Sequence, residues 1–109
     1  MAENKKYILV VVTAQDISQA RKIARGLLEE KLIACANIMD GVQSLFWWQG
    51  KIDEASEVVV VLKTRQDLFA EVVSRVKFLH SYDTPEIIAL PIVDGSPDYL
   101  KWIDSSVRS

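Results

Sequence analysis

Cysteine and histidine each occur once in this chain of 109 residues, proline three times and glycine four times. One cysteine closes no disulfide within a chain. That excludes a disulfide-stapled scaffold and makes a reducing cytoplasm the expected compartment. One thiol and one imidazole fall short of the four ligands of a closed structural metal centre. No glycine-rich phosphate loop is present, so a nucleotide is not favoured. Lys and Arg form no cluster, and the formal net charge is -2, which argues against a nucleic-acid partner. The apolar run at residues 7–12 is too short to cross a membrane. No small-residue cleavage pattern follows it, so it reads as a first strand rather than a signal peptide.

What is present is an ordinary globular composition, with 50% hydrophobic and 26% charged residues. It is enough for a single domain over residues 1–109 with one core. Residues 7–12 are apolar on both faces, as a central strand should be. Asp16 and Gln19 have the spacing of a helix cap and its reciprocal partner. Ile17, Ala20, Ile23, Ala24, Leu27 and Leu28 follow at helical spacing. Residues 32–38 read as a second strand. Gly41 marks a bulge or a bend, residues 42–48 continue the strand, and Gln49-Gly50-Lys51 turns the chain with Gly50 at positive φ. Residues 58–62 are again apolar on both faces. Thr64 with Asp67 is the expected cap of a second helix, whose apolar face is Leu68, Phe69, Val72, Val73, Val76 and Leu79. The helix should end near His80, because Pro85 disfavours helix at Thr84. Residues 87–90 read as a strand, with Pro91 at its edge or end. Ser96-Pro97 then starts a short terminal helix through Tyr99, Leu100, Trp102 and Ile103.

This order is met by an α+β, ferredoxin-like βαββαβ sandwich with a long β2–β3 hairpin and a short C-terminal helix. Two helices cover one face of its sheet. The strands carry apolar residues toward the other face as well, which calls for a partner. A further copy is the simplest one. The hairpin ending in Trp47-Trp48 is the arm expected to reach it, aromatic anchors being typical of interface cores.

Several segments together resemble the CutA family of divalent-cation tolerance proteins. They are Leu-Ile-Ala-Cys-Ala-Asn-Ile at 32–38, Ser-Leu-Phe-Trp-Trp-Gln-Gly-Lys at 44–51, Glu57, and Leu-Lys-Thr at 62–64. His-Ser-Tyr-Asp-Thr-Pro-Glu-Ile-Ile-Ala at 80–89 and Tyr99-Leu100-x-Trp102-Ile103 complete the set. The resemblance implies a ferredoxin-like fold, a PII-like homotrimer joined through the long hairpins, tolerance of copper and other divalent cations, and no established reaction. It also implies that ligands, small molecules or proteins, bind in clefts between subunits. The sequence departs from the family pattern at Phe46, where tyrosine is usual, and at Gln49, where a charged residue is common. Ser81 replaces a proline, and Asp83 replaces a glutamate.

Copper is the cation this resemblance brings forward. Its chemistry asks for thiolate or imidazole ligands. Cys35 and His80 are the only residues of those types, Met39 adds a thioether, and Asp83 lies three residues beyond His80. Cys35, His80 and Asp83 are therefore the candidate metal ligands. The competing roles are packing for Cys35 and a helix-terminal role for His80. A Cys35–His80 nucleophile pair is the catalytic alternative. It lacks a helix N-terminus or glycine-rich elbow behind the thiol, so no enzymatic activity is expected. Tyr82, Trp48, Lys63, Thr64, Glu57 and Tyr99 read as a framework, with Lys63 pairing to Glu57 or Asp83. A PII-like small-molecule sensor is the third reading.

Overall fold

The computed structural model describes residues 6–109. The charged lead at residues 1–5 lies outside the described residues. Eight elements follow in order. They are β1 (Tyr7–Ala14), α1 (Ile17–Glu29), β2 (Cys35–Trp48), β3 (Lys51–Arg65), a 3-10 turn (Gln66–Leu68), α2 (Phe69–Leu79), β4 (Ile87–Pro91) and α3 (Pro97–Ser106). They build one antiparallel sheet in the order β2-β3-β1-β4. The expected α+β, ferredoxin-like architecture is present, and the two strands that read as apolar on both faces are the central pair.

The core lies between the sheet and α1 and α2. Val10, Val12, Val60 and Leu62 point into it from the central strands, with Ala20, Ile23 and Leu27 from α1 and Val72 and Val76 from α2. The side chains of α3 reach toward Tyr7, whose hydroxyl donates to Asp104 at 2.6 Å. Ile103 of α3 is fully buried. Beyond α3 the sheet still presents Met39, Ile88 and Leu90 at 43–52% exposure. The apolar second face read from the sequence is therefore present and only partly covered.

Three local expectations are corrected. Thr64 does not cap α2. It lies inside β3, fully buried, and its hydroxyl donates to the Leu32 carbonyl at 2.7 Å. The chain enters α2 through the 3-10 turn, with no side-chain cap hydrogen bond at either start. Asp67 instead accepts from Arg65 at 3.0 Å. The second strand starts at Cys35 rather than residue 32, since Leu32 closes the turn after α1 through its N–H to the Leu27 carbonyl. Finally, Asp16 caps α1 by accepting from the Gln19 N–H at 2.8 Å, but the Gln19 side chain does not return to Asp16. It bridges to the end of α2, donating to the Leu79 carbonyl and accepting from the Ser81 N–H.

The hairpin is longer than the sheet it grows from. Val58 is the last residue of β3 paired with β1. A bulge falls between Met39 and Val42, with Gly41 at φ +75°. Residues 42–57 therefore project as a two-stranded arm. Its tip has both Gln49 (φ 51°) and Gly50 (φ 78°) in the left-handed region, the conformation of a type I′ hairpin turn. Leu45, Trp47, Trp48 and Ile52 on the arm are 57–73% exposed. Trp47 pairs with Ile52 and Trp48 with Lys51, so the two tryptophans point to opposite faces.

Candidate functional site

The segment after α2 was the densest in chemistry-bearing residues, and its geometry follows from how the helix stops. His80 has extended backbone, φ -84° and ψ 146°, so no helical turn runs on to Asp83. The His80 ring folds back into the protein, and the residue is 9% exposed. Its Nε2 lies 2.7 Å from the Thr13 carbonyl. Its Nδ1 accepts the Tyr82 N–H at 3.0 Å. An acceptor at Nδ1 and a donor at Nε2 define the neutral Nε2–H tautomer. Thr13 is one residue past the last β1 residue paired with β4, which is Val12. The imidazole thus meets a strand carbonyl where the ladder has run out.

Tyr82 continues the chain of contacts. Its ring lies 4.6 Å from that of His80, tilted by 40°. Its hydroxyl donates to Glu57 at 2.9 Å. Burial and this hydrogen bond to the Glu57 carboxylate push the hydroxyl up to about 12. Ser81 is tied down by Gln19 through its N–H and by Gln15 through its hydroxyl. Asp83 is exposed in the bend at residues 81–84.

Cys35 is elsewhere. It is partly exposed and opens β2 in the row of Lys63 and Leu9. Its Sγ is 3.8 Å from the Asn37 amide oxygen and 4.0 Å from the Tyr99 hydroxyl. Lys63 donates to Asn37 at 2.8 Å and sits 5.9 Å from the Tyr99 ring centre. The expected pairing of Lys63 with Glu57 or Asp83 is thus replaced by Asn37, while Glu57 goes to Tyr82. Thr13, which meets His80, is four residues along β1 from Leu9 in the Cys35 row, roughly 13 Å at strand rise. One chain therefore does not bring Cys35, His80 and Asp83 together. Among the described residues no group of three or more His, Cys, Asp and Glu could hold a metal ion. The donor set of one chain does not fit a copper ion, and both nitrogens of the one imidazole are already engaged.

A second polar cluster had no sequence signal. Asp104 of α3 accepts from Tyr7 at 2.6 Å, Lys6 at 3.2 Å and Arg65 at 3.4 Å. The Tyr7 hydroxyl first, then Lys6 and Arg65, hold its carboxyl below the ordinary value. Gln19 and Thr13 were also missed as partners of the His80 segment. The Gln19 spacing marked it as a capping residue, and nothing in sequence could reveal that its amide reaches the other helix.

Fold and site together define a small α+β protein of ferredoxin-like topology. Its lone histidine is a structural joint, and a projecting arm carries Leu45, Trp47, Trp48 and Ile52 more than half exposed. The chain belongs to the CutA1 divalent ion tolerance protein family, whose model matches residues 8–106. It is 48% identical over 99 residues to the divalent-cation tolerance protein CutA of Archaeoglobus fulgidus, covering 91% of this chain and 96% of that protein. It is 37% identical over 107 residues to the protein of the same description from Escherichia coli, covering 98% and 96%. It spans 56% of the chloroplastic CutA of Arabidopsis thaliana, at 42% identity and with 94% of this chain covered. The solved A. fulgidus structure, described as a periplasmic divalent cation tolerance protein, superposes with a TM-score of 0.91 at 46% identity, covering 94% of this chain and 99% of that one. The Oryza sativa CutA1 structure gives 0.93 at 38% identity and 99% coverage of both chains. The A. fulgidus and E. coli relatives are described by cation tolerance, and the two plant proteins by the CutA name alone. Among the described residues no helix is long and apolar enough to cross a membrane.

Proposed function

We propose that this protein serves divalent-cation tolerance as a homotrimer in the cytoplasm, without catalysing a reaction. The observation that carries the assembly is the arm: Leu45, Trp47, Trp48 and Ile52 are more than half exposed on a segment that no helix covers. Aromatic side chains left in water at this density are typical of interface anchors. Copper is the proposed cation. The Cys35 thiol is its ligand on the open sheet face, and assembly supplies what one chain lacks. His80 and Asp83 drop out of the proposed ligand set, because a metal on His80 would displace either Thr13 or Tyr82. The single cysteine supports a reducing compartment.

The separation of Cys35 from His80 favours a second reading. In it the trimer is a PII-like small-molecule sensor or interaction scaffold with no physiological metal. Sedimentation equilibrium tests the assembly. The wild-type protein is expected at three times the 12.3 kDa of one chain. The paired substitutions Trp47→Ala and Trp48→Ala should shift it toward one chain by weakening the contact about 2–4 kcal/mol per tryptophan. A copper titration separates the two readings: binding lost in Cys35→Ser supports the first, and no stoichiometric binding by wild type supports the second.

A further inference from the structure

The arm at residues 42–57 leaves the sheet after Val58 and the bulge, and its own hydrogen bonds are internal, as between Gln43 and Ser56. Among the described residues one side-chain hydrogen bond joins it to the rest of the chain: the Tyr82 hydroxyl donating to Glu57 at 2.9 Å. Glu57 is the first β3 residue beyond β1, at the root of the arm. Tyr82 is itself fixed at two points, by its N–H on His80 Nδ1 and by its ring against the imidazole. His80 is anchored on the Thr13 carbonyl of β1. A continuous line of contacts thus runs from the central strand through His80 and Tyr82 to the arm root.

We infer that His80, Tyr82 and Glu57 form a bracket that sets the direction of the β2–β3 arm and so presents its apolar tip to a second copy of the chain. Tyr82 and Glu57 are positioning residues, and His80 is the pivot that holds Tyr82. A two-stranded ribbon twists and bends easily when nothing packs on it. A hydrogen bond at its root restricts that motion with the greatest leverage on the tip. The carboxylate acceptor makes this a charge-assisted bond, stronger than one between neutral groups. It also gives the one histidine a role without a metal or a proton transfer.

The inference rests on the proposed assembly through the arm, so two readouts are needed. Hydrogen exchange of residues 42–57 reads the bracket, and sedimentation equilibrium reads the assembly. Tyr82→Phe keeps the ring and removes the hydroxyl, and Glu57→Ala removes the acceptor. Each should speed exchange in the arm roughly tenfold, as loss of one charge-assisted hydrogen bond predicts, while α1 and β1 exchange as in wild type. Both should weaken assembly, and the double variant should be little worse than either single one. Unchanged arm exchange, or acceleration spread evenly over the chain, overturns the bracket. A wild-type protein that stays a single chain at every concentration overturns the assembly reading, and arm exchange then decides the bracket alone.

Discussion

The imidazole Nε2 of His80 meets the carbonyl of Thr13 at 2.7 Å, one residue beyond the reach of β4 along β1. This contact turns the only histidine from a prospective ligand into a joint between the end of α2 and the centre of the sheet. His80→Ala leaves the Thr13 carbonyl and the Tyr82 N–H without their partner. The expected loss of stability is about 1–3 kcal/mol, read from the denaturant midpoint. At protein concentrations where His80→Ala remains assembled, its copper affinity should be the same as wild type, whereas Cys35→Ser should lose it. Copper binding that disappears in His80→Ala while the protein stays folded and assembled contradicts the assignment.

Tyr82 predicts an alkaline signature. Its hydroxyl is raised from 10.0 to about 12, by burial first and then by Glu57. The folded state therefore holds this proton more tightly than the unfolded state. The stabilisation is complete below pH 10 and is lost as pH rises through about 12. Urea unfolding of wild type and Tyr82→Phe should give curves that converge over that interval. Parallel curves would show that the hydroxyl is not held as described.

Asp104 predicts the opposite dependence at low pH. Its hydrogen bond from Tyr7, followed by Lys6 and Arg65, lowers its carboxyl below 3.8. A depressed folded value gives stability that is present above 3.8 and is lost as pH falls through the folded value. Asp104→Asn should flatten the acid limb of stability against pH while leaving the fold intact by circular dichroism. An acid limb as steep as that of wild type would refute it.

The arm tip makes a separate prediction. Gln49 stands at φ 51° beside Gly50 at 78°, where asparagine is far better tolerated than glutamine. Gln49→Asn should raise stability by roughly 0.5 kcal/mol, measured as a higher thermal midpoint. A lower midpoint would mean that Gln49 makes a contact in the assembly that outweighs its backbone strain.

The fold was legible because its signals are local or periodic. Apolar runs on both faces picked out the central strands, Ser96-Pro97 marked the start of α3, and Gly41 marked a bulge or bend that the register shows to be a bulge. The failures share one physical cause. Thr64 carries the chemistry of a cap, yet the pairing of Tyr7 with Arg65 and Ile8 with Thr64 extends β3 past the point where a helix could start. Gln19 has the spacing of a capping-box residue, yet its amide gains more by bridging two helices. Tertiary contacts overrode local preference in both cases. The candidate ligands show the same limit. Residue type and family pattern brought Cys35, His80 and Asp83 forward, but only the strand register places Cys35 four rows from the carbonyl that His80 holds.

The most direct test of the account is native mass spectrometry of the wild-type protein at micromolar concentration. An ion series at three times the 12.3 kDa chain mass, collapsing to single chains when Trp47 and Trp48 are both replaced by alanine, is the predicted result. Single chains from the wild type, or a trimer indifferent to both substitutions, would contradict a protein assembled through its projecting arm.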